Sequence, residues 1–77
     1  MTTGYVLVNC ELGSEESVIE ELKAITGVVE VNGIFGAFDI FVKVQAAQTE
    51  ALREIITWKI RKIPKIRSTV TLMVIDS

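Results

Sequence analysis

The residues of this chain best suited to bind a ligand surround one carboxylate, Asp39, which interrupts a long apolar run. It follows Gly36-Ala37, and a glycine at this point can take the positive φ that closes a tight hairpin. The carboxylate could hold an ammonium group through a charge-assisted hydrogen bond, while the amides of Gly36 and Ala37 could bind a carboxylate. The alternative is that Asp39 only bonds nearby amides and stabilises the turn.

Further candidate contacts lie on either side of this stretch. The hydroxyls of Ser68, Thr69 and Thr71 could donate to a ligand, although threonine is also an ordinary strand residue. Phe38 could pack against an aliphatic ligand side chain, or it could lie in the core at the start of a strand. The predicted ligand-binding residues are therefore Gly36, Ala37, Phe38, Asp39, Ser68, Thr69 and Thr71.

The composition excludes most catalytic chemistry. The 77 residues include no histidine and a single cysteine, Cys10, which cannot form an internal disulfide or a multi-cysteine metal site. No acid-base pair or phosphate-binding loop is evident, so we name no catalytic residue, metal ligand or cofactor. We predict that the protein is not an enzyme, and a small ferredoxin-like enzyme is the less favoured alternative. We expect Cys10 to be a small core residue.

Charge and hydropathy limit the partners. A net charge of −2 argues against general nucleic-acid binding, although basic residues gather between Lys59 and Arg67. We expect these residues to be solvated or to pair with the acidic first helix of another subunit. No window reaches the roughly 18 apolar residues of a membrane span, and no basic segment precedes an apolar one at the start. We therefore expect no membrane partner and a cytoplasmic location.

The first half of the chain reads as strand, helix and strand. Gly4 to Cys10 is rich in β-branched and aromatic residues, and both of its faces are largely apolar, which predicts a central strand. Ser14 is a suitable N-cap for an amphipathic helix of about three turns, which Gly27 would end with a left-handed conformation. Val28 to Phe35 is a strand diluted by polar residues, as expected at a sheet edge.

The second half reads as strand, helix and strand in turn. Phe38 to Val44 alternates and pairs with the preceding strand across the Gly36-Ala37 turn. An apolar stripe from Leu52 to Ile63 predicts a helix that Pro64 ends, and a strand follows from Arg67 to Ile75. The order βαββαβ predicts a single α+β domain over residues 1–77: a ferredoxin-like sandwich of four antiparallel strands with both helices on one face.

The apolar content exceeds what one small domain can bury. It reaches 49% of the residues, and the first and last strands place apolar side chains on both faces of the sheet. We therefore predict at least a homodimer that forms through the uncovered sheet faces. Trp58 lies on the flank of the helical stripe, where it is either a subunit contact or a partly covered surface residue.

Three blocks of this sequence resemble one known family in order and spacing. They are Gly27-Val28-Val29-Glu30-Val31, then Gly36-Ala37-Phe38-Asp39-Ile40 with Phe41-Val42-Lys43-Val44, and Ile60-Arg61-Lys62-Ile63-Pro64 leading into Arg67-Ser68-Thr69-Val70-Thr71. Together they resemble the effector-binding (RAM) domain of the Lrp/AsnC transcriptional regulators over nearly the whole chain. Phe38 stands where tyrosine is common, and Lys65-Ile66 replaces the usual Gly-Val.

The resemblance implies a domain that senses amino acids or related small zwitterions in transcriptional regulation. Such domains dimerise through their sheets, assemble further into tetramers or octamers, and bind ligand at the contacts between dimers. This chain is similar to the stand-alone form, because it begins at the first strand and not with the DNA-reading helix-turn-helix. The alternative is a purely structural partner that hetero-oligomerises with full-length Lrp/AsnC regulators.

Overall fold

The structure is a computed structural model that describes residues 1–74. Its strands form one antiparallel sheet in the order β2-β3-β1-β4. This confirms the predicted ferredoxin-like fold, with β1 inside the sheet and β2 at an edge. The elements in chain order are β1 (Thr2–Cys10), α1 (Glu15–Lys23), β2 (Val28–Gly33), β3 (Ile40–Ala46), α2 (Thr49–Glu54), a π-helical segment (Ile55–Ile60) and β4 (Ile66–Met73).

The core lies between the helices and one face of the sheet. Alternate residues of β1, such as Val6 and Val8, are fully buried and pair with Val42 and Ile40 of β3. Because side chains alternate between the two faces of a strand, this set defines the helix side of the sheet. The remaining core residues come mainly from the helices and from the turn after the second one: Val18, Leu22, Leu52, Ile56, Ile60 and Ile63.

The other side of the sheet carries an apolar surface that no helix within residues 1–74 covers. Leu7 pairs with Phe41 on one side and Val70 on the other, and the rings of Tyr5 and Phe41 lie 5.5 Å apart. Leu72, which pairs with Tyr5, is 52% exposed. We call this surface, formed by Tyr5, Leu7, Phe41, Val70 and Leu72, the open face.

The second helix changes its winding partway along. After Glu54 it continues as a π-helix, in which the Arg61 amide donates to the Ile56 carbonyl at 3.2 Å, five residues earlier. In an α-helix, residues four apart drift by about 40° around the axis. The wider π turn offsets this drift, so Leu52, Ile56 and Ile60 all stay buried in the core. The single α-helix predicted here is therefore wrong in its winding.

The connection between β2 and β3 is longer than the predicted tight hairpin. β2 ends at Gly33 and β3 begins at Ile40, so residues 34–39 form a loop, in which Gly36 has φ +126°. The Ile34 amide donates to the Asp39 carbonyl at 2.9 Å and closes the loop. The Asp39 amide turns instead to the Val8 carbonyl of β1, also at 2.9 Å. The two-residue turn is wrong because the strand pairing stops before the glycine.

The ends of the predicted elements also need correction. Ser14 is the N-cap of α1, but its side chain makes no capping hydrogen bond. The helix ends at Lys23, and Gly27 takes its positive φ of +102° in the turn that follows. β4 is described as far as Met73, and Ile75, the predicted end of that strand, lies outside the described residues. Within residues 1–74, no helix is long and apolar enough to cross a membrane.

Candidate functional site

Asp39 is fixed at the point where the loop joins β3. Its carboxylate Oδ2 accepts a hydrogen bond from the Cys10 amide at 3.0 Å, while its own backbone bonds to Val8 and Ile34. The side chain therefore ties the loop to the end of β1 and not to the amides of its own turn. The bond from the Cys10 amide restricts the side-chain rotamers of Asp39, so less freedom is lost on binding a ligand.

A polar depression lies beside this carboxylate, at the end of the open face. It encloses about 430 Å³, and its lining residues are Asn9, Cys10, Asp39, Arg67 and Ser68. Asn9 pairs with Ser68 across β1 and β4, and its Nδ2 donates to the Ser68 Oγ at 3.3 Å. The depression thus holds one carboxylate, one guanidinium and two neutral polar groups. These are the groups that complement the charges of a zwitterion.

A second, more apolar depression shares Asp39 with the first. It is lined by Glu15 of α1, by Gly33 at the end of β2, and by Ile34 and Phe35 of the loop. The Phe35 side chain is fully exposed, and Ile34 is 37% exposed. Asp39 therefore stands between a charged surface and an apolar one, both small enough for a single small molecule.

The predicted ligand-binding residues do not all come together. Asp39 and Ser68 line the same depression, and the loop places Gly36 and Ala37, both exposed, and half-buried Phe38 just before Asp39. Thr69 and Thr71 pair with Val8 and Val6, so they lie on the helix side of the sheet.

Two polar residues of the depression were not predicted from the sequence, Asn9 and Arg67. Their positions follow from the register between β1 and β4, in which Asn9 stands opposite Ser68. The sequence gives only one hint for each residue. Asn9 stands beside Cys10 at the end of the first strand, and Arg67 stands beside Ser68 at the start of the last strand.

The thiol of Cys10 is part of the core, as predicted, although it borders the depression. Burial raises the pKa of this thiol above its ordinary value, and the carboxylates of Asp39 and Glu15 raise it further. The thiol therefore stays protonated near neutral pH, where a protonated thiol is a poor nucleophile and a poor metal ligand. Among the described residues no cluster of three or more histidine, cysteine or acidic side chains could hold a metal ion.

The open face continues from the depression toward the other end of the sheet. Val70 and Leu72 are 43% and 52% exposed, although each is an apolar strand residue. Trp58, on the opposite side of the molecule in the π-helical segment, is 70% exposed. A contiguous apolar surface such as the open face more often marks an interaction site than a surface that stays exposed to solvent.

The fold is that of a ferredoxin-like α+β domain, and its charged depression has a volume suited to a small ligand. The family model of the Lrp/AsnC ligand binding domain matches residues 3–77. The chain belongs to the Lrp/AsnC family, and the resemblance found in its sequence is confirmed.

The curated relatives that match include transcriptional regulators and an enzyme. An uncharacterised HTH-type transcriptional regulator of Pyrococcus furiosus, PF0250, is 36% identical over 75 residues, which are 94% of this chain and 50% of that protein. The chain thus spans about half the length of such relatives. A homocitrate synthase of Saccharolobus islandicus is 46% identical over 59 residues, 77% of this chain but 13% of the enzyme. Because the match covers so small a share of the enzyme, it gives no reason to assign the enzyme's catalytic activity to this chain.

Solved structures give the same fold. The crystal structure of FFRP-DM1 has a TM-score of 0.92 and 37% identity, and the match covers 97% of this chain and 100% of that one. The transcriptional regulator NMB0573 of Neisseria meningitidis, in a complex with L-Met, has a TM-score of 0.85 over 97% of this chain and 50% of its own. At 9% identity the second likeness shows the fold alone.

Proposed function

We propose that this domain senses a free amino acid, or a closely similar zwitterion, in transcriptional regulation. The observation that carries the proposal is that Asp39 and Arg67 both line one depression of about 430 Å³. The carboxylate of Asp39 receives the ligand ammonium group, and the guanidinium of Arg67 binds the ligand carboxylate. Asn9 and Ser68 supply further hydrogen bonds at the same surface.

The loop before Asp39 completes this site. The amides of Gly36 and Ala37 offer a second position for the ligand carboxylate, as the sequence suggested. Ile34 and Phe35, in the neighbouring depression, offer apolar surface to the ligand side chain. Phe38 is half-buried directly before Asp39, where its ring could also pack against a ligand side chain. An apolar amino acid therefore fits the two depressions better than a charged one does. NMB0573, which shares this fold, binds an apolar amino acid, L-Met, in its solved complex.

The open face is the proposed dimer interface. A dimer would bury the exposed parts of Val70 and Leu72 together with Tyr5, Leu7 and Phe41. Each Å² of apolar surface removed from water stabilises the dimer by about 25 cal/mol. Two copies related by a twofold axis would present the same surface to each other. Full-length Lrp/AsnC regulators carrying the same face are the expected alternative partners.

The site and the interface are joined, which gives the sensing step a physical basis. Asn9 and Ser68 border the depression, and the next residues on the same side of β1 and β4 are Leu7 and Val70 of the open face. A ligand in the depression therefore lies beside the subunit contact. It shifts the assembly, to dimers or to tetramers and octamers, by the difference in its affinity for the two states.

The ligand half is tested with two substitutions of Asp39 that separate binding from stability. Asp39→Asn keeps an oxygen that can accept the Cys10 amide but removes the charge, whereas Asp39→Ala removes both. Calorimetric titration with a panel of amino acids should show binding by the native chain and a loss of about tenfold or more in Asp39→Asn and in Arg67→Gln. Unchanged affinity in both Asp39→Asn and Arg67→Gln would exclude this site.

The interface half is tested with a charge on the open face. Leu72→Lys should shift the mass measured by light scattering from dimer to monomer, because a buried ammonium has no partner there. Leu12→Lys is the matched control, since Leu12 is 96% exposed in the turn after β1. A native chain that stays monomeric at high concentration, or a Leu72→Lys variant that stays dimeric, would refute the interface.

A further inference from the structure

A groove on the opposite side of the sheet from the open face has no part in the site described above. It runs between the second helix and the edge strand β4 and encloses about 340 Å³. Two arginines, two threonines and two apolar residues line it: Arg53, Ile56, Thr57, Arg61, Thr71 and Met73. None of these six residues is acidic.

The helix contributes a single row of polar side chains to this groove. Arg53, Thr57 and Arg61 are spaced four residues apart, next to the buried row of Leu52, Ile56 and Ile60. As for the buried row, the change from α-helical to π-helical winding after Glu54 keeps these three positions near one side of the helix. Arg53 and Arg61 therefore occupy the two ends of the row, with Thr57 between them.

The strand contributes the opposite wall. Thr71 pairs with Val6 and Met73 pairs with Gly4, so both side chains lie on the helix side of β4. Thr71 thus brings a second hydroxyl toward the arginines, while Ile56 and Met73 form an apolar floor. Guanidinium groups bind carboxylate and phosphate through paired hydrogen bonds, and threonine hydroxyls donate to the same oxygens.

We propose that this groove binds an oxyanion group, phosphate or carboxylate, carried on a small apolar body. Arg53 and Arg61 hold the oxyanion between them, Thr57 and Thr71 donate to it, and the apolar body rests on Ile56 and Met73. The volume suits a small ligand. A dimer formed through the open face leaves the groove uncovered, because the two lie on opposite sides of the sheet. A second ligand can therefore occupy it independently of the amino-acid site.

The net charge of the chain favours a small oxyanion over a nucleic acid as the ligand of this groove. A backbone-binding surface needs an extended basic stripe, whereas the whole chain has a net charge of −2 and the groove holds two cations. Two arginines at one small groove match the charge of a single oxyanion.

The test is a titration of the full 77-residue chain, followed by amide shifts in two-dimensional NMR. The probes are phenyl phosphate, benzoate and inorganic phosphate. We expect saturable shifts at Thr57 and Thr71 with phenyl phosphate or benzoate, and the tighter of the two identifies the oxyanion. Arg53→Gln and Arg61→Gln should each weaken binding about tenfold or more, because each removes a charge-assisted contact. Lys65→Gln, which removes an exposed cation outside the groove, should leave it nearly unchanged.

Three results would overturn the proposal. The first is an absence of saturable shifts at Thr57 and Thr71 with either aromatic probe at millimolar concentration. The second is an equal loss in Lys65→Gln, which would indicate nonspecific attraction. The third is a short DNA duplex that shifts these amides while phenyl phosphate does not. Both arginines are exposed, so we expect the variants to keep the fold. Well-dispersed spectra of the variants will show that a loss of binding does not come from unfolding.

Discussion

The turn between α1 and β2 depends on the absence of a side chain at Gly27. Its φ is +102°, and a Cβ added there would lie 2.6 Å from the Ile55 Cδ1 and 3.2 Å from the Gln45 carbonyl oxygen. The Gly27 carbonyl also accepts the Gln45 amide at 2.8 Å, which joins the turn to the end of β3. Gly27→Ala therefore strains the backbone and crowds the helix at the same time.

The two contributions can be estimated separately. A left-handed conformation costs an alanine about 1–2 kcal/mol relative to glycine. Inserting a methyl group into a filled contact with Ile55 and Gln45 costs about 1–3 kcal/mol more. The sum, about 2–5 kcal/mol, is a large share of the stability of a small domain. At about 4–8 °C per kcal/mol, the melting temperature should fall by about 8 °C or more.

Two comparisons isolate the steric part. Gly13 also has a positive φ, +85°, but a Cβ there would meet nothing within 4 Å, so Gly13→Ala reports the backbone term alone. Ile55→Val removes the Cδ1 atom that the new methyl group would touch. In the Gly27→Ala background it should recover part of the loss, although alone it costs about 0.5–1.5 kcal/mol.

The assay is urea unfolding followed by circular dichroism for the four variants at one protein concentration, since dimerisation would couple stability to concentration. Equal losses for Gly27→Ala and Gly13→Ala would refute the steric reasoning. Strict additivity of Gly27→Ala and Ile55→Val would refute it as well, because the contact with Cδ1 would then carry no energy.

The remaining predictions concern the core and the buried thiol. Leu52→Ala, at a fully buried position, should cost about 2–5 kcal/mol in urea unfolding, whereas Trp58→Ala, at a position 70% exposed, should change stability by less than about 0.5 kcal/mol. Similar losses would contradict the assigned core. Because the pKa of the Cys10 thiol is raised in the folded state, the folded chain keeps the thiol proton to a higher pH than the unfolded chain does. The stability that comes from the protonated thiol is present below about pH 8.5 and is lost as the pH rises through the folded pKa. Native stability should therefore fall more steeply above that pH than the stability of Cys10→Ala, and parallel curves would show that the thiol is not buried.

The element order and the buried faces could be read from the sequence. Period-two alternation in β1 and β3 and the row from Leu52 to Ile63 depend on neighbouring residues alone. The uneven winding after Glu54 could not be read, because an apolar spacing of four suits both an α-helix and a π-helix. The choice between them depends on which residues must reach the core.

The site was only partly predictable for a related reason. Asp39 was identified from its place beside Gly36, but its partner Cys10 lies 29 residues away in another strand. Arg67 joins Asp39 only because β4 pairs with β1, which in turn pairs with β3.

The amino-acid sequence by itself determined that this chain is a βαββαβ sandwich of the Lrp/AsnC family with an apolar second sheet face. The tertiary structure alone decided which hydroxyls face which side: Ser68 toward Asp39, but Thr71 toward Arg53 and Arg61. The physical reason is the strand register. Because side chains alternate, a shift of one residue exchanges the two faces of β4, and that register is fixed by long-range pairing with β1, which no local pattern specifies.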